Sequence, residues 1–168
     1  MIFLIMQLNT REYLSKALKQ AEKALSLGNY PFGAILVDEN RRVVSSGSNE
    51  NFSLGDISAH AEIQCLRKVN IKLLLKENYE HFLFCSGEPC YGCSFFIART
   101  NISRVYWALS DPQKGGLGDT KNNHEMKSFF SKIELFDEPY EDLKEQSKTL
   151  LKEYSLKVGR IDKAKLYG

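Results

Sequence analysis

The chain has 168 residues, 43% hydrophobic and 26% charged, proportions ordinary for a soluble globular protein and sufficient to bury a core. A single domain over residues 1–168 is expected. The net charge of +2 is too small to indicate a nucleic-acid partner on its own, and four cysteines do not make a disulfide framework.

In chain order, Met1 to Met6 are apolar but lack a basic leader, and the run is too short for a secretory core or a membrane span. A reducing, cytoplasmic setting without membrane contact is expected. Asn9 or Thr10 can cap a helix, with Glu12 placed to close a capping box on Asn9. Leu14, Ala17, Leu18, Ala21, Ala24 and Leu25 follow at helical spacing until Gly28 stops the run. Ala34 to Val37 reads as a short apolar strand, Asp38-Glu39-Asn40 as a turn, and Arg42 to Ser45 as the antiparallel partner. Asn49 lies just beyond that strand, where a turn role and a substrate contact are equally open. Glu50 to Ile57 reads as a polar loop.

Ser58 is the expected N-cap of a helix running to about Val69, which places His60, Ala61 and Glu62 in its first turn. Ile71 to Glu80 is a Lys-rich connection, and Phe82 to Cys85 a buried strand. After Gly87-Glu88, Pro89 suits the start of a second helix that carries Cys90 and Cys93. Val105 to Ala108 forms the next strand, and Ser110 to Asn123 a Gly-rich loop forming the rim of a pocket. Phe129 to Leu135 reads as a strand or a short helix, and Tyr140 to Tyr154 as an amphipathic helix. The tail with Lys157, Arg160, Lys163 and Lys165 reads as solvated, with nucleic-acid binding the less favoured reading. This order predicts a three-layer α/β/α sandwich around a central mixed sheet.

Two stretches carry chemistry: His60-Ala61-Glu62 and Glu88-Pro89-Cys90-Tyr91-Gly92-Cys93. Cys90 and Cys93 offer two thiolates and His60 an imidazole nitrogen. Three protein ligands leave a tetrahedral Zn2+ one open position, the mark of a catalytic rather than a structural site. Glu62 is not needed as a ligand and is free to move protons. A lone C-x-x-C fits a redox pair, half a structural zinc site or chance equally well, and H-x-E alone is weak. Their conjunction, in this order and with Pro89 before the first Cys, is far more specific. A structural site would want a fourth ligand, and the nearby Cys85 sits in an apolar run that reads as core. His81 and His124 read as non-ligands.

With these residues in place, the sequence resembles the cytidine and deoxycytidylate deaminase superfamily, in the branch of bacterial guanine deaminases and tRNA adenosine deaminases. H-x-E followed by P-C-x-x-C is the signature of zinc deaminases acting on nucleobases. Pro31-Phe32-Gly33-Ala34, Asn49 and Asp56 stand in the same register, and the match runs from about Tyr30 to Ala108. The chain departs from the family in Tyr91-Gly92 between the cysteines and in Asp56-Ile57-Ser58-Ala59 before the His, changes that touch pocket walls rather than ligands. The resemblance implies a cytidine deaminase-like fold, a Zn2+ cofactor and a homodimer. It also implies base contacts by the Asn49 side chain and the Ala61 amide, and Phe32 packed on a purine. An acidic residue from the later loop is expected as well, with Asp119 the candidate.

The reaction so implied is hydrolytic deamination with release of ammonia, Glu62 taking the proton from water and returning protons to a ring nitrogen and the leaving group. Two thiolates weaken zinc as a Lewis acid, which makes a nearby base valuable. A small-molecule purine, guanine, is the first choice of substrate, adenosine in a tRNA loop the second, and cytosine or a nucleoside the third. The modest net charge favours the free base, while the Lys-rich tail keeps tRNA open. Outside the enzyme class stands a non-catalytic zinc-binding module, which leaves Glu62 without a purpose.

Overall fold

The computed structural model describes residues 8–111, 115–120 and 127–168. Helix α1 (Thr10–Ser26) starts where the capping residues place it: Asn9 Oδ1 accepts from the Glu12 backbone N–H at 3.2 Å. The second half of the box differs, since Asn9 Nδ2 donates to the Glu12 carboxylate at 3.0 Å. There follow β1 (Gly33–Asp38), β2 (Val43–Ser48), α2 (Asn51–Leu54), α3 (Ala61–Arg67), α4 (Ile71–Leu74), β3 (His81–Cys85), α5 (Tyr91–Ala98) and β4 (Ile102–Trp107). The later part holds α6 (Leu117–Thr120), α7 (Lys127–Phe130), β5 (Glu134–Asp137), α8 (Glu141–Lys157), α9 (Ile161–Ala164) and a closing 3-10 turn at Lys165–Tyr167.

The five strands form one mixed sheet in the order β2-β1-β3-β4-β5. β1 is antiparallel to both β2 and β3, whereas β3, β4 and β5 run parallel. Parallel neighbours need a crossover, and α5 supplies it between β3 and β4. Alternation along each strand divides the core in two. Ala34, Leu36, Leu83, Cys85, Val105 and Trp107 pack with Ala61, Cys65, Cys93 and Ile97 of α3 and α5. Ile35, Val37, Phe82, Phe84 and Tyr106 face Leu14, Ala17, Leu18, Leu150 and Tyr154 of α1 and α8. Covering both faces explains why β1 and β3 read as unbroken apolar runs. The result is the three-layer α/β/α sandwich expected from the element order.

Several local expectations are corrected. Ser58 does not cap α3: its N–H and hydroxyl donate to Asp56 Oδ1 at 2.8 and 2.6 Å, and the helix begins two residues later with His60 as N-cap. Pro89 precedes the N-cap Cys90 and so lies two residues before Tyr91, the first residue of α5. The polar loop after Asn49 contains α2, and the Lys-rich connection contains α4, whose N-cap Asn70 accepts from the Lys72 N–H at 2.9 Å. The segment expected as strand or helix is both, α7 and then β5.

The basic tail has Lys157, Arg160 and Lys165 exposed, as expected of a solvated segment, and it is also folded. Gly159, with φ of 72°, lets the chain reverse after α8, and α9 packs back with Ala164 buried. Met1 to Met6, Pro112 to Lys114 of the Gly-rich loop, and His124 lie outside the described residues. No helix among the described residues is long and apolar enough to cross a membrane.

Candidate active site

Both halves of the zinc motif sit at helix N-caps. His60 caps α3 and Cys90 caps α5, each with extended backbone and neither using its side chain to bind its own helix. Ser, Asp or Asn at these positions would fold back onto the helix amides. Imidazole and thiol instead turn outward and meet. Cys90 Sγ lies 3.5 Å and Cys93 Sγ 3.4 Å from His60 Nδ1. The depth of α3 is set by β2, because a Cβ on Gly47 would stand 2.0 Å from the Ala61 carbonyl oxygen.

The donor set fits zinc. The three ligand atoms all lie within 4.8 Å of one another. Tetrahedral bonds of roughly 2.3 Å to sulfur and 2.0 Å to nitrogen put S and N about 3.5 Å apart, which matches the observed separations. Among the described residues no fourth His, Cys, Asp or Glu joins the group. Cys85 is buried in β3 and His81 Nδ1 pairs with Asn101 Oδ1 at 2.6 Å, so neither competes.

Electrostatics follow from burial. Desolvation is the largest influence on Glu62, which is only 7% exposed. Helped by the charge of Cys90, it outweighs the helix amide, His60 and the Cys93 thiol and lifts the carboxyl to about 7. The Cys90 sulfur accepts from the Cys93 thiol and sits beside His60, which holds it down to about 3. Cys93 is pushed up because it gives that hydrogen bond and is buried.

A cavity opens over this group, lined by Tyr30, Phe32, Asn49, Asn51, His60, Glu62, Glu88, Cys90 and Asp111. Asn49 reaches its wall because its backbone N–H donates to the Phe32 carbonyl at 2.9 Å, which ties the end of β2 to the segment before β1. Phe32 lines the cavity from that segment. Ala61 does not line it with its side chain, which is in the core, but its amide is the first of α3 and has no intrahelical acceptor.

Asp119 is elsewhere. It is exposed on α6, outside this lining, where it accepts from the Tyr91 hydroxyl at 3.1 Å. The acidic residues that do line the cavity are Glu62, Glu88 and Asp111. Glu88 also fastens the described part of the Gly-rich loop. Its Oε1 accepts from the Gly118 N–H at 2.9 Å, while the Pro89 carbonyl accepts from Gly116 and Leu117 at 3.1 Å. Burial raises the Glu88 carboxyl despite the Gly118 and Asp111 amides that bond it. Asn51 carries no signal in the sequence, Tyr30 only its place at the start of the family match, and Asp111 only its place in the loop expected to rim a pocket. Glu88 could have been suspected only from its place beside Pro89.

Residues 8–109 match the family described as the cytidine and deoxycytidylate deaminase zinc-binding region. The chain is 34% identical over 118 residues to the tRNA-specific adenosine deaminase of Haemophilus influenzae, a match covering 66% of this chain and 68% of that protein. A solved structure from work on A-to-I editing by tRNA:A34 deaminases superposes with a TM-score of 0.67 at 26% identity, covering 84% of this chain and 99% of that one. The guanine deaminase of Nitrosomonas europaea also superposes with a TM-score of 0.67, at 18% identity and over 86% of this chain and 83% of that one, a likeness of fold alone. With its zinc motif folded into one cluster above a cavity, the chain belongs to the cytidine and deoxycytidylate deaminase zinc-binding family and is an enzyme that deaminates nucleobases or nucleosides.

Proposed function

We propose that the protein hydrolyses the exocyclic amine of adenosine within tRNA, giving inosine and ammonia. The observation that carries this reading is the 34% identity to the Haemophilus tRNA-specific adenosine deaminase across two thirds of both chains. Guanine, the first choice from sequence, becomes the second reading. Phe32 lines the cavity and can face any purine, so it does not discriminate. The low net charge argued for a free base, yet a substrate site senses the local field and not the sum over the chain.

His60, Cys90 and Cys93 would hold the zinc, which when bound supplies the Lewis acidity that makes water a nucleophile near neutral pH. Glu62 takes the proton of the attacking water, then delivers protons to the ring nitrogen and the departing amine. Its buried position beside the cluster and on the cavity wall suits both directions of transfer. Asn49 and the Ala61 amide orient the base and Phe32 covers its face. Exposed Phe95 and Phe96 of α5, with Ile71 and Leu75, flank an apolar groove that also includes Ile63 and Leu66 of α3. A second copy of the chain covers it in this reading, and sedimentation of Phe96→Asp beside the natural protein tests that dimer.

The functional test is ammonia release by zinc-loaded protein from an anticodon stem-loop, adenosine, guanine and cytosine in parallel. Inosine in the stem-loop supports the proposal. Release from guanine alone overturns it in favour of the second reading.

A further inference from the structure

The cavity wall that carries Asn49 and Asn51 continues into α2, a helix of four residues none of which is buried. Apolar packing therefore does little to hold it. Its N-cap, Glu50, makes no side-chain bond to the helix, and the Glu50 carboxylate accepts from the Gln64 side-chain amide instead. An N-cap side chain would take the second or third helix amide. Here both go to Asn29. Its Oδ1 accepts from the Phe52 N–H at 2.9 Å and the Ser53 N–H at 3.0 Å, and its Nδ2 donates to Ser53 Oγ at 2.6 Å. The first amide, that of Asn51, donates to Asn49 Oδ1 at 3.2 Å. Two asparagines thus divide the free end of α2 between them, and one of the two lies on the cavity wall.

Asn29 is held rigidly enough to serve as an anchor. It is 0% exposed and lies two residues beyond Leu27, the C-cap of α1. Gly28 turns the chain at φ 78°, its N–H donating to the Leu25 carbonyl at 3.0 Å, while the Asn29 N–H donates to the Ala24 carbonyl at 2.9 Å. These are the paired bonds that close a helix C-terminus. Asn29 is thereby mounted on α1, whose Leu14, Ala17 and Leu18 are packed in the core. From there its side chain crosses to α2. The residue after it, Tyr30, lines the cavity, and the Tyr30 ring meets Phe52 of α2 at a centroid distance of 5.3 Å.

We infer that Asn29 is a positioning residue for the deamination: it ties the first turn of α2 to α1 and, through Asn51, holds the Asn49 carboxamide toward the substrate base. This rests on the reading that Asn49 orients the base, and not on which base that is. Without Asn29 the Phe52 and Ser53 amides lose their acceptor, and the first turn of a helix with no buried residue loosens. The Asn51 N–H and Oδ1, both partners of the Asn49 side chain, move with it. The metal-binding group and Glu62 belong to the starts of α3 and α5 and do not lie on this route.

The test follows ammonia release by zinc-loaded protein from an anticodon stem-loop and from guanine, in natural form and as Asn29→Ala, Asn29→Asp, Asn49→Ala and Asn29→Ala/Asn49→Ala. Asn29→Ala is expected to raise KM for the substrate turned over roughly 5- to 30-fold, with a smaller change in kcat and unchanged zinc content. Asn29→Asp keeps an oxygen for the two amides, and the Ser53 hydroxyl can donate to the other oxygen, so most of the natural KM returns. In the Asn49→Ala background Asn29→Ala adds little, because its effect passes through Asn49. The Asn49 side-chain amide signals in NMR, assigned by their disappearance in Asn49→Ala, shift in Asn29→Ala and return in Asn29→Asp. The inference is overturned by an equal loss in both backgrounds, by unmoved Asn49 signals, or by an elevated KM in folded Asn29→Asp, which decides alone if Asn29→Ala does not fold. An impaired Asn49→Ala beside a natural Asn29→Ala leaves the base contact standing and removes only the role of Asn29. Natural kinetics in Asn49→Ala removes both.

Discussion

The Asn49 side-chain amide donates from Nδ2 to Asn51 Oδ1 at 2.7 Å, while Asn49 Oδ1 accepts from the Asn51 backbone N–H at 3.2 Å. The orientation of the pair is set from outside, because Asn51 Nδ2 donates at 2.7 Å to the Asp56 carbonyl, which can only accept. Asn49, 2% exposed, therefore presents one remaining amide hydrogen in a fixed direction on the cavity wall. Asn51→Ala removes the Oδ1 acceptor and the link to Asp56, leaving the Asn49 amide held by the Asn51 backbone N–H alone. The expected cost is about 1–2 kcal/mol in kcat/KM, on the order of 5- to 30-fold. Zinc content should be unchanged. Natural kinetics in this variant would show that Asn51 does not position Asn49.

Glu62→Gln keeps the shape of the side chain and removes the base. Turnover should fall by roughly 10²- to 10⁴-fold while metal analysis still finds zinc, because the three ligand atoms are untouched. Loss of zinc together with activity would point to a structural role for the carboxylate.

Gly47→Ala tests whether sheet-to-helix spacing sets the metal geometry. The added Cβ would meet the Ala61 carbonyl at 2.0 Å and the Cys65 amide nitrogen at 2.6 Å, so α3 must move and His60 at its start with it. A loss of roughly 1–3 kcal/mol of stability is expected. Titration with a chromogenic chelator should show weaker zinc retention. Val43→Ala, at an exposed position of the same strand, serves as the control.

Asp38 anchors the β1–β2 turn. Burial pushes its carboxyl up, but the Arg42 amide and guanidinium, with the Tyr79 hydroxyl, outweigh burial and hold it below the ordinary value. A lowered folded pKa means that the unfolded chain binds the proton more readily. The stabilisation is therefore present above the unfolded carboxylate range near pH 4 and is lost as pH falls through the folded pKa. Asp38→Asn should cost about 1–2 kcal/mol at pH 7, discounted because the Arg42 side chain is 71% exposed. The gap in denaturant midpoint between variant and natural protein should narrow as pH falls through 4 to 3. A gap independent of pH would remove the charge from the explanation.

The sequence by itself determined the candidate metal-binding group and the layered fold, because both are written in local spacing. His60 and Glu62 lie two apart, Cys90 and Cys93 three apart, and the apolar runs from Ala34 and Phe82 are long enough only for buried strands. The tertiary structure decided what surrounds the metal ligands. Ser58 reads as a helix cap, yet its hydroxyl is taken by Asp56, so His60 becomes the cap, with its ring beside the cysteines. Asp119 and Asp111 are equivalent acids in a glycine-rich stretch until Glu88 and Pro89 fasten the loop, which leaves Asp111 on the cavity wall and Asp119 outside. The basic tail carries no periodicity long enough to reveal that the chain turns at one glycine of positive φ and that Arg160 and Lys163 line a cavity together with Tyr30 and Phe32. Ligand spacing is a property of neighbours along the chain, whereas a cavity wall is a property of neighbours in space, some more than a hundred residues apart, and only packing brings those together.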